Sequence, residues 1–340
     1  MKGFNVMITG CSSFSKELIE CLKNNTDKVD IRIVGVDCNE HNLLRTGVDW
    51  SYVVPKITEP NYIDELIRLC KKHDVKIILP YITKELYLLS ENKSLFYENG
   101  IKVSVSSPES LLVANNKKLI GEKYRYCMPM QKFPKSSQEY YDFIEFIEQK
   151  GENVCCKISN GCGGQGFFVI DEKKAKDLHT IGRKDTPLYL TKEYALQLIE
   201  ANKFNVILQE YKKGLDYSVC VLADKGYVIS KVGYVGYSMV CGAVMSGEIK
   251  RHKQAYEIAS KITKELKLDG NMCFDFIIDD DAAYLLEVNP RINATLPFVQ
   301  KAGANFAYLR CLQLLEHRII PPKIKYGIKM KKYYESEYFF

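Results

Sequence analysis

Residues 154–170, VCCKISNGCGGQGFFVI, place four glycines in six positions between two apolar runs. The first run carries Lys157 and indicates a strand, and the second indicates another strand beginning at Phe167. Glycine adopts positive φ readily, so the backbone N–H groups of such a loop can approach one anion closely. The pattern predicts a hairpin that lies over phosphate groups, with the lysine charge beside them. The loop glycines are Gly161, Gly163, Gly164 and Gly166.

Two other glycine motifs have similar letters but a different context. A P-loop needs Gly-Lys-Ser/Thr opening a helix, and a dinucleotide-binding loop also opens a helix. Here Gly166 is followed by Phe167 and Phe168, which are typical of a strand. Thr9-Gly10 after the first strand lacks the further glycines of a dinucleotide site. The remaining alternative to a phosphate lid is a glycine-rich hairpin that binds no ligand.

Composition places the chain among globular proteins of more than one domain. It has 340 residues, of which 46% are hydrophobic and 26% charged, and that length exceeds a usual single domain. No apolar run approaches the roughly 20 residues of a membrane span, and the N-terminus lacks a signal-peptide pattern. The expected location is the cytoplasm. The 12 cysteines have no zinc-site spacing, so we expect buried or free thiols.

The order of apolar runs predicts two kinds of sheet. Strands alternate with helices over about 105 residues, which indicates a parallel α/β unit. Later strands follow one another through short turns and should be antiparallel. Among these later strands, Val235–Gly247 is expected to be a glycine-bearing loop, and the overlapping Tyr234–Met245 segment is expected to build the substrate pocket with the first domain. Lysines cluster near the C-terminus, where a solvated basic tail is expected and nucleic-acid binding is not.

An acidic hairpin near the C-terminus carries the second candidate site. Asp275 lies in one predicted strand and Glu287 in the next, and Asn289 follows two residues later on the same face. Two carboxylates and an amide oxygen form an all-oxygen donor set that suits Mg²⁺ holding substrate phosphates. Arg291, two residues further, would bind phosphate oxygens. An ordinary exposed hairpin is the alternative.

With these motifs, the chain resembles the ATP-grasp superfamily, in the branch of the carbamoyl-phosphate synthase large subunit. The resemblance covers nearly the whole chain. It implies that Lys117 and Lys157 bind ATP together with the glycine loop, and that Arg291 lies at the reaction centre. It also implies an adenine-binding segment and a ribose-binding acid, which correspond to Gln209, Glu210, Tyr211, Lys212 and Asp216. Asp275, Glu287 and Asn289 would bind two Mg²⁺ ions, with Mn²⁺ as an alternative.

Several positions depart from the family pattern, among them Asn116 and Gln209 in place of acids. The departures spare both lysines and all three metal ligands. The resemblance implies an α/β and α+β fold of four segments: a parallel pre-ATP-grasp domain at 1–108, a glycine-hairpin lid domain with its linker at 109–208, a large antiparallel domain at 209–325 and a basic, aromatic tail at 326–340.

The implied activity is that of a ligase. It would phosphorylate a small carboxylate, such as an amino acid, with ATP and couple the acyl phosphate to an amine, releasing ADP and phosphate. Two alternatives stay open, namely biotin-type or carbamate-forming carboxylation with bicarbonate, and a non-catalytic nucleotide-binding sensor or scaffold. The expected partners are small carboxylates and amines rather than membrane or nucleic acid. A homodimer is one assembly that the resemblance allows.

Overall fold

The computed structural model describes residues 2–159, 166–177, 187–240, 243–293 and 295–333. The predicted loop residues Gly161, Gly163 and Gly164 lie outside these ranges, whereas Gly166 is described. The described strands form three sheets, of which the first is parallel and the third antiparallel. This mixed α/β architecture confirms the predicted fold class. Short 3₁₀ helices occupy Ser13–Ser15, Thr83–Glu85, Arg125–Cys127 and Lys174–Lys176.

The first sheet has the strand order β3-β2-β1-β4-β5 within the described residues. Its strands are β1 (Phe4–Thr9), β2 (Ile31–Asp37), β3 (Trp50–Val53), β4 (Val75–Pro80) and β5 (Lys102–Val103). Its helices are α1 (Lys16–Lys23), α2 (Glu40–Leu43), α3 (Tyr62–Lys72), α4 (Leu86–Glu91) and α5 (Lys93–Glu98). The chain adds strands on opposite sides of β1 and β4, so their carboxyl ends border the kind of crevice in which α/β sheets bind ligands.

The second sheet holds the predicted glycine hairpin. Its order is β6-β10-β7-β8-β9 within the described residues. Two connecting helices, α6 (Pro108–Ala114) and α7 (Lys117–Lys123), precede it. Its elements are β6 (Gln131–Lys132), α8 (Ser137–Glu148), β7 (Asn153–Ile158), β8 (Phe168–Ile170), β9 (Leu188–Leu190), α9 (Lys192–Ala201) and β10 (Val206–Tyr211). Strands β7 and β8 pair antiparallel, as the hairpin requires.

The third sheet is antiparallel, with the order β15-β14-β11-β12-β13-β16 within the described residues. Its strands are β11 (Leu215–Asp224), β12 (Tyr227–Val240), β13 (Ala243–Ile249), β14 (Gly270–Asp279), β15 (Ala282–Asn289) and β16 (Lys329–Lys331). Its helices are α10 (Lys253–Glu265), α11 (Leu296–Lys301) and α12 (Phe306–Leu314). Apolar side chains of α10 pack on one face of the sheet and those of α11 on the other.

One local prediction was wrong. The expected loop at Val235–Gly247 is largely strand, because β12 continues to Val240 and β13 begins at Ala243. Gly236 and Gly247 are cross-strand partners there, and a Cβ on Gly247 would lie 2.4 Å from the Val235 carbonyl oxygen. These glycines therefore allow close strand approach. In the predicted basic tail, Lys329 and Lys331 are exposed and belong to β16, which pairs with β13 at the sheet edge. Exposed lysines are typical of edge strands.

A buried ion pair joins the first and third sheets. Arg310 of α12 is 1% exposed, and its guanidinium donates to both carboxylate oxygens of Asp269 at 3.0 and 2.9 Å. Its Nε donates to Ser104 Oγ, just beyond β5, at 3.0 Å. Burial acts to raise the pKa of Asp269, but the guanidinium outweighs it and holds that pKa below its usual value. We call these residues the Arg310 cluster.

No helix in the described part of the chain has the length and apolar character needed to cross a membrane. Cysteines in the same residues are free thiols, and most of them are buried, as predicted.

Candidate functional site

Asp275 and Glu287 lie opposite each other on β14 and β15. The turn pairs Asp279 with Ala282, and a regular continuation of that register would place Leu286 opposite Asp275. A β-bulge next to Asp275 shifts the register by one residue and brings Glu287 to that position instead. The bulge therefore places both carboxylates on one face of the sheet.

Asn289 contacts both carboxylates, and we call Asp275, Glu287 and Asn289 the acidic group. Its Nδ2 donates to Asp275 Oδ2 at 2.8 Å and to Glu287 Oε1 at 3.2 Å. Ser218 on β11 donates from Oγ to Asp275 Oδ1 at 2.7 Å. Burial, followed by the charge of Glu287, raises the pKa of Asp275 to about 6. The structure thus brings together the three residues predicted to bind metal, in a setting where negative charge is unfavourable.

The chemistry of these side chains fits a hard divalent cation. The repulsion between two neighbouring, partly buried carboxylates is relieved by a cation, and carboxylate and amide oxygens are the donors that Mg²⁺ takes. The amide oxygen of Asn289 would add a third donor to the two carboxylates once its amide group rotates, because its Nδ2 donates to both carboxylates in this structure.

Two lysines approach the acidic group from different elements. Lys117, the first residue of α7, places Nζ 3.5 Å from Glu287 Oε2. Asn116 caps this helix by accepting from the backbone N–H groups of Lys118 and Leu119, so asparagine provides the cap that an acid would provide. Lys157 on β7 donates to Gln209 Oε1 on β10 at 2.8 Å. Burial lowers the pKa of Lys157, and Glu287 and Asp275 act on it in the opposite direction.

The predicted adenine segment begins on β10 and continues past its end. Gln209 and Glu210 are buried, and Glu210 Oε2 accepts from the backbone N–H of Met130 at 3.3 Å. The carboxylate of Glu210 also pairs with the Lys212 ammonium. Burial raises the pKa of Asp216 on β11, and the Lys157 charge opposes that shift. The structure therefore joins Lys157 to Gln209 by a hydrogen bond, and the Lys157 charge acts on Asp216, while the contacts of these residues with a nucleotide stay predictions.

Gly166 ends the glycine loop next to β7. Its φ is +68°, and a Cβ at this position would lie 2.3 Å from Cδ1 of Ile158. Both the backbone conformation and the close approach of Ile158 favour glycine. Gly166 thus fits the hairpin that the sequence predicted, and the other three predicted loop glycines lie outside the described residues.

Arg291 connects the acidic group to the first sheet. Its Nη2 donates to Asn289 Oδ1 at 3.4 Å and its Nη1 to the Ile292 carbonyl at 2.9 Å. Its Nε donates at 3.3 Å to Oγ1 of Thr83, the first residue of the 3₁₀ helix that follows β4. Thr83 and Ser218 were not among the predicted site residues. Their contacts span 208 and 57 positions, so no local spacing could have identified them.

Replacing Lys157 with Ala is expected to weaken Mg-ATP binding by about 1.5–3 kcal/mol, because the charge-assisted contact to phosphate is lost. Isothermal titration calorimetry would measure this directly. Lys176→Ala is the control, since Lys176 is 71% exposed and pairs with Glu172 away from the acidic group. Unchanged affinity in Lys157→Ala would remove this lysine from the nucleotide site.

Two family models match the chain. One, described as PylC-like, N-terminal domain, matches residues 6–104 and covers the first sheet. The other, described as ATP-grasp in the biosynthetic pathway with Ter operon, matches residues 203–335 and includes the acidic group and Arg291.

Curated relatives agree with these matches. The carbamoyl phosphate synthase large chain of Clostridium acetobutylicum is 22% identical over 284 residues, which are 81% of this chain and 25% of that protein. The chain therefore spans about a quarter of that relative's length. The tyramine–L-glutamate ligase of Methanocaldococcus fervens is 25% identical over 222 residues, or 59% of this chain and 70% of the ligase.

Solved structures share the fold. The biotin carboxylase domain of Hydrogenobacter thermophilus 2-oxoglutarate carboxylase, a dimer with MgADP, ADP and bicarbonate, aligns with a TM-score of 0.68 over 96% of this chain and 73% of that one, at 15% identity. The ADP complex of an N5-carboxyaminoimidazole ribonucleotide synthetase aligns with a TM-score of 0.68 over 97% of this chain and 81% of that one, at 13% identity. Residues 203–335 thus match an ATP-grasp family model, and the chain is similar over most of its length to part of the carbamoyl phosphate synthase large chain.

Proposed function

We propose that the chain is an ADP-forming carboxylate–amine ligase. The observation that carries this proposal is the convergence of Asp275, Glu287 and Asn289 with Lys117 and Arg291 at one point between the sheets. Oxygen donors and cations gathered in this way suit the binding of a triphosphate and the stabilisation of charge on a transferring phosphoryl group.

The proposed cofactors are ATP and Mg²⁺. Lys117 and Lys157 would bind phosphate oxygens, and Gln209–Lys212 would line the adenine pocket, with Asp216 near the ribose. Asp275, Glu287 and Asn289 would hold two Mg²⁺ ions, or Mn²⁺ in their place, and the metal would supply neutralisation of phosphate charge. Structures with the same fold contain ADP and MgADP, which supports a nucleotide in this cleft.

The proposed reaction has two steps. An oxygen of the substrate carboxylate attacks the γ-phosphorus of ATP, the bond to the β,γ-bridging oxygen breaks, and ADP leaves. An amine then attacks the acyl carbon, loses a proton, and expels inorganic phosphate to leave an amide. Arg291 would contact the oxygens of the transferring group, since its guanidinium lies against Asn289. The glycine hairpin would exclude water that could hydrolyse the acyl phosphate.

The substrates are the open part of the proposal. A relative whose name is tyramine–L-glutamate ligase favours an amino acid as the carboxylate. The second candidate is carboxylation with bicarbonate, because a structure of the same fold contains bicarbonate. That structure is also a dimer, which supports a homodimer as the proposed assembly. A nucleotide-binding sensor is the third candidate, and it would bind ATP without turnover.

An assay with hydroxylamine separates these candidates, because hydroxylamine captures acyl phosphates as hydroxamates. The protein is incubated with Mg-ATP, hydroxylamine and single carboxylates, including L-glutamate and other amino acids. We expect ADP and a hydroxamate from one carboxylate, and neither product in its absence. ADP formation that depends on bicarbonate would favour carboxylation, and tight ATP binding without products would favour the sensor. AMP as the product would contradict an acyl phosphate mechanism.

A further inference from the structure

We propose that Thr83 and Glu85 are positioning residues for Arg291, so that the first sheet sets the geometry of the reaction centre. The inference rests on the proposed function, because Arg291 acts there on the transferring phosphoryl group. Neither residue would touch substrate. Thr83 contacts the guanidinium, and Glu85 fixes the backbone of Tyr81 and Ile82, which leads directly into Thr83.

The Glu85 carboxylate is 1% exposed and accepts hydrogen bonds from three parts of the first sheet. Its Oε1 accepts from Thr9 Oγ1, at the end of β1, at 2.7 Å. Its Oε2 accepts from Tyr62 Oη, at the start of α3, at 2.9 Å. The backbone N–H groups of Tyr81 and Ile82 also donate to Oε1, at 3.2 and 3.3 Å. One buried side chain thus fixes the backbone of the loop that follows β4.

This loop lies at the carboxyl ends of β1 and β4, where the strand order reverses. Tyr81 N–H donates to the Thr9 carbonyl at 3.3 Å, and Tyr81 Oη donates to the Phe14 carbonyl at 2.7 Å. Thr83 follows directly, and its hydroxyl accepts from Arg291 Nε at 3.3 Å. A continuous series of contacts therefore links Thr9 in the first sheet, through Glu85 and the backbone before Thr83, to the Arg291 guanidinium.

An arginine side chain has large rotamer freedom, and a fixed guanidinium acts on developing charge without reorganising. Asn289 and the Ile292 carbonyl restrain the two terminal nitrogens of Arg291, and both belong to the chain segment of Arg291 itself. Thr83 restrains Nε from a different sheet. Loss of this third contact should leave the guanidinium present but less well oriented. Binding of a group at the γ-phosphoryl position should then weaken, whereas binding of Mg-ADP should not.

Tetrafluoroaluminate provides a probe that requires no knowledge of the carboxylate, since with Mg-ADP it mimics a transferring phosphoryl group. Thr83→Val removes the hydroxyl and keeps the size of the side chain. We expect this variant to bind Mg-ADP as the wild type does, and to lose about tenfold in affinity for tetrafluoroaluminate in the Mg-ADP complex, the effect of one charge-assisted hydrogen bond. Thr83→Ser should retain wild-type affinity. Calorimetry measures both binding steps.

Three further variants complete the test. Thr26→Val is the control, because Thr26 is exposed in the loop before β2, at the opposite end of the first sheet. Glu85→Gln should weaken tetrafluoroaluminate binding in the same direction as Thr83→Val. In an Arg291→Lys background, Thr83→Val should have no additional effect, since the contact to Nε no longer exists.

Wild-type tetrafluoroaluminate affinity in Thr83→Val would overturn this inference while leaving the proposed function intact. An equal loss of Mg-ADP and tetrafluoroaluminate affinity would also overturn it, because it would indicate general damage to the site. Absence of tetrafluoroaluminate binding in the wild type, despite Mg-ADP binding, would overturn the proposed function and this inference with it.

Discussion

Replacing Glu287 with Gln is expected to lower the rate of ADP formation by at least about a hundredfold, while the affinity for ATP without added metal changes little. Gln keeps the size of the side chain and removes the charge that Mg²⁺ would need at this position. Metal stabilisation of a transferring phosphoryl group contributes several kcal/mol, and about 2.7 kcal/mol corresponds to a hundredfold in rate. Steady-state ADP release and calorimetry with and without Mg²⁺ measure the two effects.

The variant should fold, because the Glu287 side chain is 38% exposed. Removal of its charge also relieves repulsion with the neighbouring Asp275, whose pKa that charge raises. Glu257→Gln is the matched control, since Glu257 is exposed on α10. That variant should show wild-type rates. Wild-type turnover of Glu287→Gln in Mg²⁺ would refute the assignment of the acidic group as the metal site.

Replacing Arg310 with Met is expected to reduce the free energy of unfolding by about 3 kcal/mol, the lower end of the range for breaking a buried pair, because Asp269 would lose both guanidinium contacts and keep the Lys93 ammonium at 3.4 Å. The side chain of Asp269 is 10% exposed, so water reaches it poorly. Met roughly retains the apolar volume of the arginine stem, which isolates the electrostatic cost. Chemical denaturation followed by circular dichroism measures the loss.

Two comparisons make this result specific. Lys102→Met removes the ion pair with Glu316, whose side chain is 81% exposed, and should destabilise the protein much less. The double variant Arg310→Met, Asp269→Leu should recover part of the stability, because it also removes the buried carboxylate that has lost the guanidinium, while the Lys93 side chain is 39% exposed and stays solvated. If Arg310→Met cost no more than Lys102→Met, the Arg310 cluster would not be what joins the two sheets.

Local periodicity in the sequence was enough to predict most of the strands and helices and the type of sheet they form. Alternation of strands and helices indicated the parallel sheet, and the runs around the glycine loop indicated an antiparallel hairpin, because each pattern reflects contacts between nearby residues. The two-residue spacing of Glu287 and Asn289 likewise indicated neighbouring side chains. Together these motifs were enough to establish the resemblance to the ATP-grasp superfamily.

The exact register of the acidic hairpin depended on a bulge. Had β14 and β15 continued in the register of their turn, Leu286 would lie opposite Asp275. The sequence signal that could have revealed the bulge is the spacing of Leu285 and Val288, which are three positions apart instead of the two of a regular strand and are both buried in the structure. Similarly, Gly236 and Gly247 suggested a loop, because glycine favours both turns and close strand pairing and the sequence alone does not distinguish them.

Only the tertiary structure decided how the parts of the site meet. The contact of Arg291 with Thr83 joins residues 208 positions apart, and that of Arg310 with Asp269 joins residues 41 apart across separate elements. Such pairs leave no periodic trace, because their proximity results from the packing of whole sheets and helices. The sequence alone therefore determined which chemical groups the chain carries and on which elements they lie. Packing decided that Arg291 contacts Thr83 beside the first sheet and that the buried Glu85 carboxylate bonds the backbone just before Thr83.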